Sequence, residues 1–124
     1  RNWILKKLEE SKNETREREY TKTDIENLKN KLEYIFPELI KQTNLVPNKI
    51  RIRNIKYAWG SCSSNKNITI NLKLVNKSEK EIKYDALLEL CHLKYMNHSD
   101  KFWNLVEKYM PNYKEIRKQL KNNR

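Results

Sequence analysis

Glu89 and His92 stand three residues apart, and a second histidine, His98, follows six residues later. On an α-helix, residues four apart lie about 40° apart around the axis, so positions 88 and 92 project from one side with position 89 beside them. The segment Leu88-Glu89-Leu90-Cys91-His92 therefore has the form of the helical His-Glu-x-x-His pattern, with leucine in place of the first histidine. The chemistry of that pattern is metal-assisted hydrolysis. A catalytic zinc takes three protein ligands and keeps a fourth position for water, which the metal acidifies and the glutamate deprotonates as it attacks a carbonyl. His92 and His98 are the candidate metal ligands, Glu89 is the candidate catalytic base, and Leu88 has no donor atom to offer. A Glu-x-x-His step alone is a weak signal, since most histidines are packed or solvated and short motifs recur by chance.

The elements that must position these residues can be placed by periodicity. Trp3 to about Glu10 reads as the end of a helix, and the charged stretch to Tyr20 as a solvated connector. Residues 1–20 are thus expected to lie outside the domain proper, which spans 21–124. Thr23-Asp24 offers a helix cap, after which Ile25, Leu28, Leu32 and Ile35 recur at spacings of three and four. Pro37 is expected to break or kink that helix, with a short helical piece at Leu39-Ile40 and a turn at Val46-Pro47-Asn48. Ile50 and Ile52 alternate with Arg51 and Arg53; a phase slip at Asn54 then brings Ile55, Tyr57 and Trp59 to the apolar side, the pattern of one strand with a bulge. Ile68, Ile70, Leu72 and Leu74 alternate as a second strand, expected to pair with the first antiparallel. Gly60, the single glycine, lies between them, where a backbone angle closed to other residues is expected.

Ser78 with Glu81 three residues on is a capping box, which starts the motif helix near Glu79. Ile82, Ala86, Leu90 and Leu93 form its core side, with Leu87, Leu88 and Cys91 around them. Asp85, Glu89 and His92 make one polar stripe on this otherwise apolar helix, and a buried carboxylate without a partner is costly. Ser99 or Asp100 then caps a helix carrying Phe102, Leu105, Val106 and Tyr109, Pro111 ends it, and Tyr113, Ile116 and Leu120 mark a basic terminal helix. Phe102 and Trp103 are expected in the core.

Length and composition bound the answer. A chain of 124 residues makes one domain. With 37% hydrophobic and 35% charged residues, and apolar side chains at regular spacing, it is a folding sequence rather than a disordered tail. No apolar run is long enough to span a bilayer. Cys62 and Cys91 are too few for a disulfide scaffold, so reduced thiols and a cytoplasmic location are expected. Cys91 points about 100° away from His92 around the helix and makes a poor substitute ligand; Cys62, in a loop, stays open as one. The net charge of +11 admits a nucleic-acid partner. That reading is not favoured, because lysine outnumbers arginine and no dense basic block or nucleic-acid motif is present.

Three segments in this order resemble the YgjP-like metallopeptidase domains, relatives of the SprT-like zincins: Trp59-Gly60-Ser61-Cys62-Ser63-Ser64, Asn67-Ile68-Thr69-Ile70-Asn71-Leu72, and Glu89-Leu90-Cys91-His92-Leu93 running to Asn97-His98-Ser99-Asp100-Lys101-Phe102-Trp103. The closing Val106 to Lys114 is similar as well, and the resemblance runs from Trp3 to about Leu120. It implies an α+β, zincin-like fold: a small antiparallel sheet packed against the metal-motif helix, with additional helices. It puts the family's general base on Glu89, its second and third zinc ligands on His92 and His98, and its first on Leu88. Asp85 stands where an aliphatic residue is expected. The resemblance further implies zinc as cofactor, held weakly or not at all here, and an extended peptide or protein substrate along the sheet edge. The family's N-terminal β-rich region is missing, so the chain is expected to be a piece of a longer protein. Two functions follow as expectations: a zinc metallopeptidase impaired at Leu88, or a non-catalytic pseudoenzyme module that binds protein or nucleic acid.

Overall fold

The computed structural model describes residues 20–122. The helix end and connector expected before Tyr20 lie outside the described residues. The order is helix α1 (Lys22–Thr43), strands β1 (Lys49–Arg53), β2 (Gly60–Cys62) and β3 (Asn67–Asn71), a 3-10 turn (Leu72–Asn76), and helices α2 (Glu79–His92), α3 (Asp100–Tyr109) and α4 (Tyr113–Asn122).

The cap of helix α1 lies two residues before the expected one. Thr21 is the N-cap, its hydroxyl accepting from the Asp24 amide at 3.2 Å while the Asp24 carboxylate accepts from the Thr21 amide at 2.9 Å. One apolar stripe of Ile25, Leu28, Leu32, Ile35, Phe36 and Leu39 is buried. Pro37 does not end this helix, which continues to Thr43. Pro37 lies on the exposed side, so the carbonyl that its missing N–H leaves free can be solvated. Phe36 and Leu39, both buried, hold the turns on either side.

The sheet is mixed, in the order β1-β3-β2. β2 pairs antiparallel with β3, Gly60 opposite Ile70 and Cys62 opposite Ile68. β1 pairs with β3 in parallel, Ile50 beside Ile68 and Ile52 beside Ile70, which corrects the antiparallel pairing expected for these two segments. The chain does not continue through a bulge after Arg53. It leaves the sheet over 54–59, reverses, and returns as β2 on the far side of β3. Asn71, buried at the end of β3, fixes that excursion: its side chain accepts from the Ile55 amide and donates to the carbonyls of Ile55 and Ala58, at 3.3, 2.9 and 2.6 Å. The alternation of Ile55, Tyr57 and Trp59 is thus a loop's, and Tyr57 is exposed. Leu72 and Leu74 extend the apolar alternation of β3 but belong to the 3-10 turn, where both are buried.

Helix α2 begins at Glu79 behind the Ser78–Glu81 capping box, as its sequence specifies. It is the hub of the fold, packing on α1, β2, β3, α3 and α4. That is why it is apolar nearly all round, with Ile82, Ala86, Leu87, Leu90 and Cys91 all buried. Among the described residues no helix is long and apolar enough to cross a membrane.

Candidate functional site

The last turn of α2 and the loop after it bring the two histidines together. His92 is the final residue of α2, and the chain turns at once, with the amides of Lys94 and Tyr95 both donating to the Cys91 carbonyl. That turn folds residues 93–99 back over the helix end. His98 Nε2 comes to 3.1 Å from His92 Nε2. His92 Nδ1 lies 3.1 Å from the Tyr95 carbonyl, which can only accept, so Nδ1 carries the proton and Nε2 presents its lone pair toward His98. Burial lowers the pKa of His92, and the nearby His98 adds to that, while the Tyr95 carbonyl opposes it.

Both imidazoles open into a cleft of about 380 Å³ lined also by Trp59, Gly60, Ser61, Cys62, Asp85, Leu88, Glu89 and Met96. β2 forms one wall and α2 the other. The expected polar stripe is present: Asp85 is 3% exposed and Glu89 5% exposed. Among the described residues, Asp85 Oδ2 and Glu89 Oε1 are buried without a hydrogen-bond partner. Desolvation raises both carboxyls well above the usual carboxylate range, and Asp85 pushes Glu89 up further. Cys62 is half-buried, and burial raises its thiol pKa, with the Glu89 charge adding to it. Cys91 faces the core, where its thiol is pushed up to about 12 by burial first and Glu89 second. Both cysteines are free thiols.

Gly60 is required here for a reason the sequence did not indicate. Its φ is not positive, so the expected unusual backbone angle is absent. A Cβ at this position would instead meet Asp85 Oδ2 at 2.6 Å, Glu89 Oε2 at 2.9 Å and the Thr69 carbonyl at 3.0 Å. The glycine lets β2 lie directly on the two carboxyls.

Leu88 stands in the same cleft. Its half-buried side chain packs against the core cluster. Two nitrogens that each sit about 2 Å from one zinc ion can be no more than about 4 Å apart, and the 3.1 Å between the imidazoles meets that limit. The third ligand does not follow. Among the described residues no group of three or more His, Cys, Asp or Glu side chains is placed to hold a metal ion. Two imidazoles thus converge in the cleft, beside a Leu88 side chain that has no donor atom.

The family model that describes the YgjP-like, metallopeptidase domain matches residues 1–123. The chain belongs to this family. Two solved structures are similar over most of its length. One is the metallopeptidase zymogen abylysin of Pyrococcus abyssi, at 28% identity and a TM-score of 0.68, covering 74% of this chain and 93% of that one. The other is the metallopeptidase zymogen jannalysin of Methanocaldococcus jannaschii, at 27% identity and a TM-score of 0.66, covering 75% and 89%. No curated protein matches the chain in sequence. The α+β architecture is accordingly that of a metallopeptidase domain, and the cleft at the end of α2 lies where the motif residues meet.

Two features of this YgjP-like domain escaped the sequence. Phe102 is in the core as expected, but its ring also stacks on His92, 4.4 Å between centroids. Trp103, expected in the core as well, is only half-buried and stacks on His98 at 5.7 Å. Their spacing from His98, at the start of a helix capped by Ser99, was the available signal. It could not be told from ordinary packing.

Proposed function

We propose that this chain is a zinc metallopeptidase-type domain whose cleft is kept and whose metal site is one ligand short. His92 and His98 are the retained donors, Glu89 occupies the general-base position, and Leu88 occupies the first ligand position. The observation that carries this reading is the 3.1 Å approach of the two Nε2 atoms in a cleft shared with Leu88 and Glu89. Loss of a group that merely orients a ligand weakens metal affinity or activity by about 10–100-fold. A missing ligand costs more, so weak zinc binding and impaired hydrolysis follow. The residues present do not complete the metal centre.

The substrate class is an extended peptide or protein segment. β2 is an edge strand of the sheet and lines the cleft, and an edge strand recognises peptide backbone by adding a strand. Two free thiols support a reducing, cytoplasmic setting.

A second reading, a pseudoenzyme that binds protein or nucleic acid without cleaving it, is favoured by one observation: Leu88 packs on the core cluster, as a side chain settled into an apolar role would. Leu88→His separates the two. In the first reading the restored imidazole completes a three-ligand site. Zinc then stabilises the variant by about 2.7 kcal/mol at a hundredfold excess over its Kd, with a much smaller effect on the parent, read as the rise in Tm with zinc. Glu89→Gln added to Leu88→His keeps zinc and abolishes peptide hydrolysis. A Leu88→His protein that is destabilised and gains no zinc response establishes the pseudoenzyme reading instead.

A further inference from the structure

His98 is an exposed residue of the irregular loop between α2 and α3, yet its ring faces that of His92 at 4.8 Å between centroids. A loop histidine is a poor ligand unless its ring is held, because the freedom lost on binding counts against affinity. Three aromatic rings from the C-terminal part of the chain supply that hold. Phe102 meets the His98 ring edge-on at 5.1 Å. Trp103 lies against it at 5.7 Å, the planes 25° apart. Trp103 is fixed in turn: Tyr113 of α4 stacks on it at 5.3 Å with planes 14° apart, and the Arg117 guanidinium sits 4.8 Å from its ring centre. Tyr113 is itself buried, which ties the column to the core.

We propose that Trp103 is a positioning residue: clamped by Tyr113 and Arg117 of α4, it holds the His98 ring in the orientation that pairs its Nε2 with that of His92. The inference rests on the reading of His92 and His98 as metal donors. It makes α4, which among the described residues brings no side chain to the cleft, a determinant of how well the cleft binds a metal. His92 needs no such device, since the Tyr95 carbonyl and the buried Phe102 ring already fix it.

Copper(II) is the probe, because it binds nitrogen donors most tightly of the divalent first-row series and its electron spin resonance reports coordinated imidazoles. The parent chain is expected to bind copper through two imidazoles. Trp103→Leu is expected to show one, with Kd weakened about 10-fold or more, while Trp103→Phe, which can still stack, keeps two imidazoles and stays within a few-fold of the parent. A lost packing contact alone would lower Tm without changing the imidazole count. Two imidazoles and an unchanged Kd in Trp103→Leu overturn the inference, as does a Trp103→Phe protein that loses as much as Trp103→Leu. If Trp103→Leu does not fold, metal-free NMR of the parent decides: proton contacts between the His98 and Trp103 rings are expected, and their absence overturns the proposal. A parent that holds copper on fewer than two imidazoles overturns the donor reading of His92 and His98 itself, and this inference with it.

Discussion

Helices α1 and α2 open with the same device and then diverge. Each starts behind a capping box, Thr21 with Asp24 and Ser78 with Glu81. Beyond the cap, α1 buries six apolar side chains on one stripe and leaves its charges in water. α2 is buried nearly all round and takes Asp85 and Glu89 in with it, each with an oxygen that finds no partner among the described residues. One helix is organised for stability. The other holds, on the wall of the cleft, carboxyls that a simple structural helix would exclude, because burying a carboxyl without a partner is costly. The contrast teaches that the cleft is maintained against folding stability.

Substitutions should therefore act with opposite sign on the two helices. Leu28 is fully buried in α1, and Leu28→Ala is expected to cost about 2–5 kcal/mol. That loss should be nearly independent of pH, as no titrating group is removed; denaturant unfolding at pH 5 and pH 8 checks it. A loss that differs by more than about 1 kcal/mol between the two would tie α1 to the cleft and break the comparison.

On α2 the corresponding change should be a gain. A carboxyl whose pKa is higher in the fold than in the unfolded chain carries an extra proton when folded. Stability is then greatest at low pH and falls as pH rises from about 4. Asp85 and Glu89 are both raised by burial, so the metal-free domain should lose stability across neutrality. Asp85→Asn removes one such group and relieves Glu89. It is expected to stabilise the domain at pH 8 in the presence of a chelator, by on the order of a few kcal/mol, and to flatten the profile between pH 5 and 8. A Tm at pH 8 that falls instead would show that ionised Asp85 has a favourable partner in the fold.

The same contrast explains how much was legible in the sequence. The α1 stripe, the Ser78 cap and the α3 and α4 faces follow local rules of period and capping, and each formed where those rules place it. Pro37 did not break α1, because burial of Phe36 and Leu39 outweighs one lost hydrogen bond on the solvent side. The parallel pairing of β1 with β3 was hidden for a similar reason. It depends on Asn71 capturing the carbonyls of Ile55 and Ala58, a contact across more than a dozen residues that no alternation pattern records. In the site, the Asp85, Glu89 and His92 stripe was visible as a polar line on an apolar helix. The support beneath it was not, since stacking of Trp103 on His98 and the closeness of Gly60 to two carboxyls are tertiary facts.

Gly60 gives the smallest and sharpest test. Its φ does not demand glycine, so the backbone itself would accept alanine, and any cost must come from what the methyl meets. The nearest atoms are Asp85 Oδ2, Glu89 Oε2 and the Thr69 carbonyl. Gly60→Ala is expected to destabilise the domain by about 1–3 kcal/mol, the usual range for overpacking. A double-mutant cycle assigns that cost. Asp85→Ala removes the carboxyl that would stand at 2.6 Å, so Gly60→Ala should cost less in an Asp85→Ala background than in the parent, with a coupling of about 0.5–3 kcal/mol. Simple additivity with Asp85→Ala and with Glu89→Ala alike would place the cost in the Thr69 backbone instead. The glycine would then serve the sheet, and the cleft's close approach of β2 to α2 would have no part in its choice.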